Sequence, residues 1–327
     1  MNEKVHEYLI VGAGVVGSSL AYELAKKSPD VVLLEKGEFT KGGSSAVPVA
    51  LINPHRGRSA RANASDKECV EKFLETLSDL EEKLDETGVV RSGIIRVAYS
   101  ARQAKNWKRV SGAQALTAEE IPAEYHAPFG GIFVKDGCYL QSAKYLKALV
   151  SAYDLDLRAN TEALSIEKSG ENQLLKTNKG EILAKTVIFC TGAESWQRFN
   201  LPKAEKIVGD SAAFKTDVKM PYAMSGSVSG MSMDGYIQLG GNHRAPGEED
   251  PEALEKLRRP FAWVIKDLQN AEVISVYSAT RSKAADNKPY WALLEPNRYF
   301  LGHFGGRGFL CSSKLAKQLA EELTGAK

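Results

Sequence analysis

Three glycines and one carboxylate near the N-terminus have the spacing of a nucleotide-phosphate site. Gly12, Gly14 and Gly17 form the pattern G-x-G-x-x-G, and Glu35 follows eighteen positions after the last of them. In such a turn the first glycine permits the chain reversal, the second lets the backbone approach a pyrophosphate, and the third lets a helix pack closely on a strand. The phosphate then lies at the helix N-terminus, and the acid accepts hydrogen bonds from ribose hydroxyls. The spacing therefore predicts a dinucleotide-binding turn.

A turn of this kind requires a strand before it and a helix after it. Residues 8–12 are apolar and favour β structure, and the apolar residues that follow recur at helical spacing. A second apolar run, residues 31–34, ends directly before Glu35. The elements needed to position the glycines and the acid are therefore all predicted.

Composition and spacing argue against several other kinds of chemistry. Lys and Arg total 43 against 41 acidic residues, so net charge gives no general case for a nucleic acid or an anionic membrane as partner. The four cysteines are far apart and form no C-x-x-C, and no spacing typical of a metal site is present, so no metal is expected. No apolar run approaches the ~18 residues that span a bilayer. We expect a soluble cytoplasmic protein with no membrane partner.

The middle of the chain contains features that a simple strand-helix repeat does not explain. Residues 36–65 are rich in Gly, Ser, Pro and Arg and are predicted to be a functional loop. Amphipathic patterns predict helices over residues 69–87, 142–152 and 254–268. Asp136-Gly137 predicts the turn of a hairpin within residues 130–141, and residues 206–241 are patterned as strands with turns.

Five motifs, in this order along the chain, are VGAGVVG with Glu35, GGSSAVPVALINP, VIFCTGAESW, TRSKAADNKP and GHFGGRGF. Together they resemble the D-amino-acid oxidase superfamily of FAD-dependent oxidoreductases, and they span almost the whole chain. The resemblance implies an α/β fold, α+β overall, in which a Rossmann-like FAD-binding domain carries an inserted substrate domain with a mixed or antiparallel sheet. We predict that residues 1–87, 139–204 and 275–327 form the FAD-binding domain and that residues 88–138 and 205–274 form the substrate domain.

The resemblance also implies FAD as the cofactor, with its ADP portion at the first glycine turn and its flavin near the Ser-rich segment and the C-terminal glycine loop. The residues predicted to bind FAD are Gly12, Gly14, Gly17, Glu35, Lys36, Ser44, Ser45, Thr191, Gly192, Gly305, Gly306 and Gly308.

Members of this superfamily that oxidise amino acids transfer a hydride to the flavin from the carbon next to the nitrogen. Arg281, Asp286 and Pro289 match the family spacing R-x-x-x-x-D-x-x-P, and a planar guanidinium suits a carboxylate, so Arg281 is predicted to anchor the substrate. Arg307 is predicted either to reach substrate or flavin or to cap its turn, and His303 either to act at the site or to be structural. The predicted activity is oxidation of a C–N bond in a small amine that carries a carboxylate.

Two subgroups of the superfamily share these motifs. One is glycine oxidase, and the other is the FAD-dependent oxidase domain of the bifunctional enzyme that makes 5-methylaminomethyl-2-thiouridine in tRNA. The stretch SGSVSGMSM has only serines where glycine-oxidase-like enzymes place a tyrosine, which weakens the first, and the basic run His55, Arg56, Arg58 and Arg61 favours tRNA. Oxidation of carboxymethylaminomethyluridine in tRNA is therefore an alternative, and a dinucleotide-binding protein without turnover is a further one.

Overall fold

The computed structural model describes residues 4–194 and 196–325. The strands in these ranges are β1 (Val5–Val11), β2 (Val31–Leu34), β3 (Val49–Ile52), β4 (Val89–Val90), β5 (Ile94–Val97), β6 (Gln114–Leu116), β7 (Gly131–Val134), β8 (Cys138–Gln141), β9 (Asp156–Arg158), β10 (Ala163–Ser169), β11 (Asn172–Thr177), β12 (Gly180–Phe189), β13 (Glu205–Lys215), β14 (Ala223–Met224), β15 (Ser229–Met233), β16 (Tyr236–Gly240), β17 (Val273–Lys283), β18 (Tyr290–Glu295) and β19 (Arg298–Gly302). The α-helices are α1 (Val15–Ala25), α2 (Ala64–Lys83), α3 (Ala101–Trp107), α4 (Ser142–Ser151), α5 (Ala253–Ala262) and α6 (Gly308–Thr324), and short 3-10 helices span Ser44–Ala46, Lys266–Asn270 and Gly305–Arg307.

The predicted strand, glycine turn and helix at the N-terminus are confirmed as β1 and α1. β1 pairs in parallel with both β2 and β12, β2 continues to β9, and β12 continues to β19. Antiparallel strands β10, β11 and β18 extend this first sheet. Alternate residues of β1 and β2 pack against α1, α2, α4 and α6 on one face and against the β10–β12 side on the other, as expected for a parallel sheet that is buried on both faces.

A second sheet contains the strands predicted between residues 206 and 241. Its order is β17-β13-β16-β15-β14-β5-β7-β6, and it is antiparallel except where β14 runs parallel to β5. α5 packs on this sheet through a separate apolar core that includes Leu257 and Phe261. β3, β8 and β4 form a small third sheet. The predicted combination of a Rossmann-like sheet with a mixed, mainly antiparallel one is confirmed.

Residues 275–283 were grouped with the predicted FAD-binding segment 275–327, whose later strands lie in the first sheet. In the structure, however, they belong to the second sheet. They lie in β17, which pairs with β13 along the whole length of the second sheet. Strand pairing over about 70 positions leaves no local signal, so the pairing became visible only in the structure.

Three further local predictions are corrected. β7 and β8 do not form a hairpin: β7 pairs with β5 and β6, whereas β8 pairs with β3 and β4. The turn at Gly137 exists, but the two strands diverge after it into different sheets. The predicted helix over residues 254–268 ends at Ala262 and is followed by a 3-10 helix. α2 begins earlier than predicted, because the Asn63 side chain caps it, and ends at Lys83.

Candidate active site

One cavity of about 900 Å³ runs from the N-terminus of α1 to the second sheet. We call the part around Gly12, Glu35 and Ser45 the turn end, and the part around Gly209, His243 and Arg281 the arginine end. All the residues predicted to bind FAD line this cavity except Gly17. Arg281 and His303 also line it, whereas Arg307 is not among the lining residues.

The turn end is shaped mainly by backbone groups. Gly12 has a φ of +106°, a conformation that side chains oppose, and a Cβ on Gly17 would lie 1.9 Å from the Gly12 carbonyl oxygen. This is the close packing predicted for the third glycine, which explains why Gly17 sits behind the cavity surface. Glu35 accepts hydrogen bonds from the backbone N–H groups of Ala13 (3.1 Å) and Gly37 (3.2 Å). The turn therefore fixes the carboxylate beside the glycines.

The N-terminus of α1 lies at the turn end of the cavity. Gly14 provides no side-chain cap for α1, and the Val15 N–H instead donates to Ser45 Oγ at 2.9 Å. Lys36 and Glu194 form an ion pair that joins the end of β2 to the segment after β12. The positive end of the helix dipole favours an anion such as a pyrophosphate here.

The C-terminal glycine loop lies along the cavity between the two ends. α6 begins at Gly308 rather than near Ser312, so the N-terminus of this helix directly follows the loop at Gly305 and Gly306. A helix N-terminus at this position favours negative charge on a group bound against the loop.

His303 and Arg307 have structural contacts. His303 is buried, and its Nε2 lies 3.1 Å from the Pro202 carbonyl oxygen. Burial lowers the pKa of this imidazole, which favours its neutral form. Arg307 points away from the cavity to Asp66, with 3.5 Å between Nη1 and Oδ1. These contacts favour the alternative that Arg307 stabilises its turn, and its predicted role at the site stays a prediction.

Arg281 lies on β17 and crosses the neighbouring strand β13 at Gly209. A Cβ at Gly209 would lie 2.5 Å from Arg281 Nη2, so the guanidinium occupies the space that a side chain would fill. No carboxylate in the described part of the chain lies within 4.0 Å of it. Burial lowers the pKa of Arg281, with Asp210 acting in the opposite direction. A partly desolvated guanidinium without an ion-pair partner is a site for an anion.

Polar residues on or next to strands of the second sheet also line the cavity. Ser225, Ser227 and Ser229 line the cavity, in agreement with the serines in the predicted substrate stretch. The Gln238 side chain donates to Ser211 Oγ at 2.8 Å. The second sheet and its loops therefore contribute several hydroxyl groups to the cavity lining.

Sequence reasoning missed three residues at the arginine end. His243 Nε2 lies 3.5 Å from Arg281 Nη1, and the Tyr277 hydroxyl donates to the Gly43 carbonyl oxygen at 2.5 Å. Asp210 is buried and binds Asn242 at 2.7 Å. Because these residues come from separate strands and loops, no local spacing in the sequence indicates that they lie together.

Half of the basic run near residue 55 is structural. His55 is buried, with its two ring nitrogens 2.7 Å from the Ala60 carbonyl oxygen and 3.2 Å from that of Gly112. Arg56 forms an ion pair with Asp66, with 2.7 Å between Nη2 and Oδ2. Arg58 and Arg61 are exposed.

The model of the FAD dependent oxidoreductase family matches residues 7–322 of this chain. The chain belongs to this family. The predicted FAD cofactor and the predicted oxidoreductase activity are thereby confirmed. No helix in the described residues of this oxidoreductase is both long and apolar enough to cross a membrane.

Individual relatives agree with this assignment. Glycine oxidase from Bacillus subtilis (strain 168) is 22% identical over 319 residues, which cover 87% of this chain and 83% of that protein. The tRNA 5-methylaminomethyl-2-thiouridine biosynthesis bifunctional protein MnmC from Campylobacter concisus (strain 13826) is 26% identical over 197 residues, which cover 58% of this chain but only 30% of that protein. The crystal structure of glycine oxidase from Geobacillus kaustophilus has a TM-score of 0.82 at 19% identity and covers 98% of this chain and 95% of that one.

The residues that line the cavity fit FAD in their chemistry. A helix N-terminus and Glu35 at the turn end suit the pyrophosphate and ribose, and the glycine loop before α6 leaves room for a planar ring. We infer that Gly12, Gly14 and Ser45 would hold the ADP half and that Gly305 and Gly306 would contact the flavin.

Proposed function

We propose that this oxidoreductase oxidises the C–N bond of a small amine that carries a carboxylate, such as an amino acid or an N-substituted glycine. The observation that carries the proposal is the guanidinium of Arg281, which lines the cavity and has no carboxylate of the described residues within 4.0 Å. A planar guanidinium gives a carboxylate two charge-assisted hydrogen bonds and so fixes its orientation. Glycine oxidase from Bacillus subtilis, which matches most of this chain, supports the same substrate class.

Bound FAD supplies the hydride acceptor, and the protein has to position the substrate. Arg281 binds the carboxylate and thereby directs the adjacent carbon along the cavity towards the glycine loop. The strand pairing of β13 with β17 holds Arg281 in place, and Gly209 leaves room for its side chain. Orientation of this kind accounts for a large part of the rate of a reaction between two bound groups.

The test is anaerobic reduction of the bound flavin, followed by its visible spectrum, with glycine, sarcosine, D-alanine and D-proline. Arg281→Ala is expected to retain FAD but to lose about 10²- to 10³-fold in reduction rate at a fixed substrate concentration, since a buried charge pair is lost. Arg102→Ala, which removes an exposed arginine on α3, is the matched control and is expected to react as wild type. Equal reduction rates for Arg281→Ala and wild type would contradict the proposal.

A second candidate substrate is a tRNA that carries carboxymethylaminomethyluridine. The match to MnmC and the exposed side chains of Arg58 and Arg61 beside the cavity-lining residue Gly57 favour it. The same carboxylate would bind Arg281, so the two substrates are distinguished by offering each one separately. Reduction by the modified tRNA alone, weakened by Arg58→Ala with Arg61→Ala, would select tRNA, whereas reduction by free amino acids alone would exclude it.

A further inference from the structure

His243 is held at the arginine end by its two neighbours in the chain. It lies in the loop after β16, where Asn242 exchanges two hydrogen bonds of 2.7 Å with Asp210, one to the carboxylate and one from the backbone N–H. On the other side, Arg244 and Val208 exchange two backbone hydrogen bonds of 3.0 Å. The backbone of His243 is therefore fixed to β13 on both sides, although its imidazole is exposed.

The imidazole faces Arg281 with its Nε2, 3.5 Å from Nη1. Partial removal from water and the charge of Arg281 lower the pKa of His243, while a hydrogen bond with the Gly241 carbonyl acts in the opposite direction. An imidazolium would set an N–H group and a positive charge against the guanidinium, so the neutral form is preferred. In the neutral form Nε2 is available as a proton acceptor.

The other charged groups around His243 are compensated. Lys283 on β17, which also lowers the pKa of His243, forms an ion pair with Glu205 on β13 at 2.8 Å. Arg244, next to His243 in the loop, pairs with Asp210 on β13 at 3.4 Å. Among the described residues, Arg281 is therefore the positively charged neighbour of His243 that has no carboxylate partner. Its charge opposes protonation of the imidazole.

A substrate carboxylate would remove this opposition. When it neutralises Arg281, the electrostatic cost of an imidazolium beside the guanidinium falls, and the pKa of His243 rises. The same substrate carries a positively charged ammonium one carbon away, which has to lose a proton before the nitrogen lone pair can assist departure of a hydride from the adjacent carbon. Proton acceptor and proton donor are thus brought together by one binding event.

We propose that His243 is a further catalytic residue, whose Nε2 takes a proton from the substrate ammonium group when the carboxylate docks on Arg281. The ammonium N–H bond breaks, its electron pair stays on the substrate nitrogen as a lone pair, and an N–H bond forms at Nε2. The neutral imidazole becomes an imidazolium, so total charge is conserved, and the proton can later leave through the exposed side of the loop. This inference rests on the proposed function.

The first test measures the pH dependence of flavin reduction by whichever carboxylate-bearing amine reduces the wild-type holoenzyme. His243→Gln keeps a hydrogen-bonding side chain but cannot take up a proton. At neutral pH we expect it to be about a hundredfold slower, with a rate that rises tenfold per pH unit and approaches wild type in alkali, where the free amine is abundant. His126→Gln changes an exposed histidine in the loop between β6 and β7, which packs on Trp263 at the end of α5; it is the matched control and should keep the wild-type profile.

The second test requires no turnover. Acetate, a carboxylate without an amine, is added to weakly buffered holoenzyme near neutral pH, and proton uptake is followed with an indicator dye. Wild type should take up protons as acetate binds, and His243→Gln should bind acetate without uptake. An unchanged pH profile in His243→Gln, or acetate binding to wild type without uptake, would overturn the role of His243. Failure of every carboxylate-bearing amine to reduce wild type, with acetate not binding, would instead overturn the proposed function.

Discussion

At the turn end of the cavity the contacts come from one stretch of chain, and most of them are backbone groups. Gly12, the Ala13 N–H and Glu35 belong to a single strand-helix-strand unit. At the arginine end the contacts come from side chains on β13, on β17 and in the loop after β16. A phosphate needs oriented N–H groups, which a local turn supplies, whereas a small substrate needs particular side chains in a particular arrangement. The need for oriented N–H groups produces a motif in the sequence, whereas the need for a particular arrangement of distant side chains does not.

The largest effect is expected at the turn end, where two backbone segments are in close contact. Gly17→Ala puts a methyl group 1.9 Å from the Gly12 carbonyl oxygen, and neither chain segment can move without breaking the pairing of β1. We expect a loss of about 3 kcal/mol in the free energy of unfolding, together with loss of bound FAD. Urea unfolding and the ratio of flavin to protein absorbance measure both.

Gly37→Ala is the control for this substitution, because its added methyl group would meet nothing within 4 Å. If Gly17→Ala purified with full FAD content and unchanged stability, the tight turn described above would be wrong.

The next effect concerns the carboxylate at the turn end. Glu35→Gln keeps the shape of the side chain but removes the charge that accepts the N–H groups of Ala13 and Gly37. We expect FAD affinity to fall by about thirtyfold, corresponding to about 2 kcal/mol for hydrogen bonds to a charged group. Fluorescence titration of the apoprotein with FAD measures it.

Glu38→Gln, an exposed acid three positions later, should bind FAD as wild type does. Equal affinities for Glu35→Gln and Glu38→Gln would mean that the acid serves only as a solvated strand end.

A smaller and more selective effect is expected at the arginine end. Gly209→Ala places a methyl group 2.5 Å from Arg281 Nη2, and a flexible side chain can move where backbone cannot. We expect full FAD content and an acetate affinity about tenfold lower, the loss of roughly one charged hydrogen bond. The change in the flavin spectrum on acetate binding measures this affinity.

Gly240→Ala lies in the same sheet and also lines the cavity, but its methyl group would be 3.5 Å from the nearest atom. It should leave acetate binding unchanged. An equal loss in both variants would show that the position of Arg281 is not the cause.

The smallest effect is expected at a hydrogen bond that links the two ends of the cavity. The Tyr277 hydroxyl on β17 donates to the Gly43 carbonyl in the Ser-rich loop at 2.5 Å. Tyr277→Phe is expected to speed FAD dissociation about two- to fivefold, in keeping with one neutral hydrogen bond of about 0.5–1 kcal/mol. Stopped-flow release of FAD measures it, with Tyr236→Phe on β16 as control; a rate equal to the control would assign the bond no part in FAD retention.

The sequence by itself determined the parts of this protein that depend on neighbouring residues. Gly12, Gly14, Gly17 and Glu35 predicted the nucleotide turn because their functions follow from spacing within one βαβ unit, and family motifs predicted the flanking FAD segments. Arg281 was predicted from its motif, although the sequence could not show that it lacks an ion-pair partner.

Only the tertiary structure decided which distant segments meet. It placed β17 beside β13, separated β7 from β8, turned Arg307 towards Asp66 and brought His243 within 3.5 Å of Arg281. These outcomes depend on strand pairing between residues far apart in the chain, and a period-two pattern specifies the face of a strand but not its partner. The arginine end is therefore a product of sheet topology, whereas the turn end is a product of local spacing.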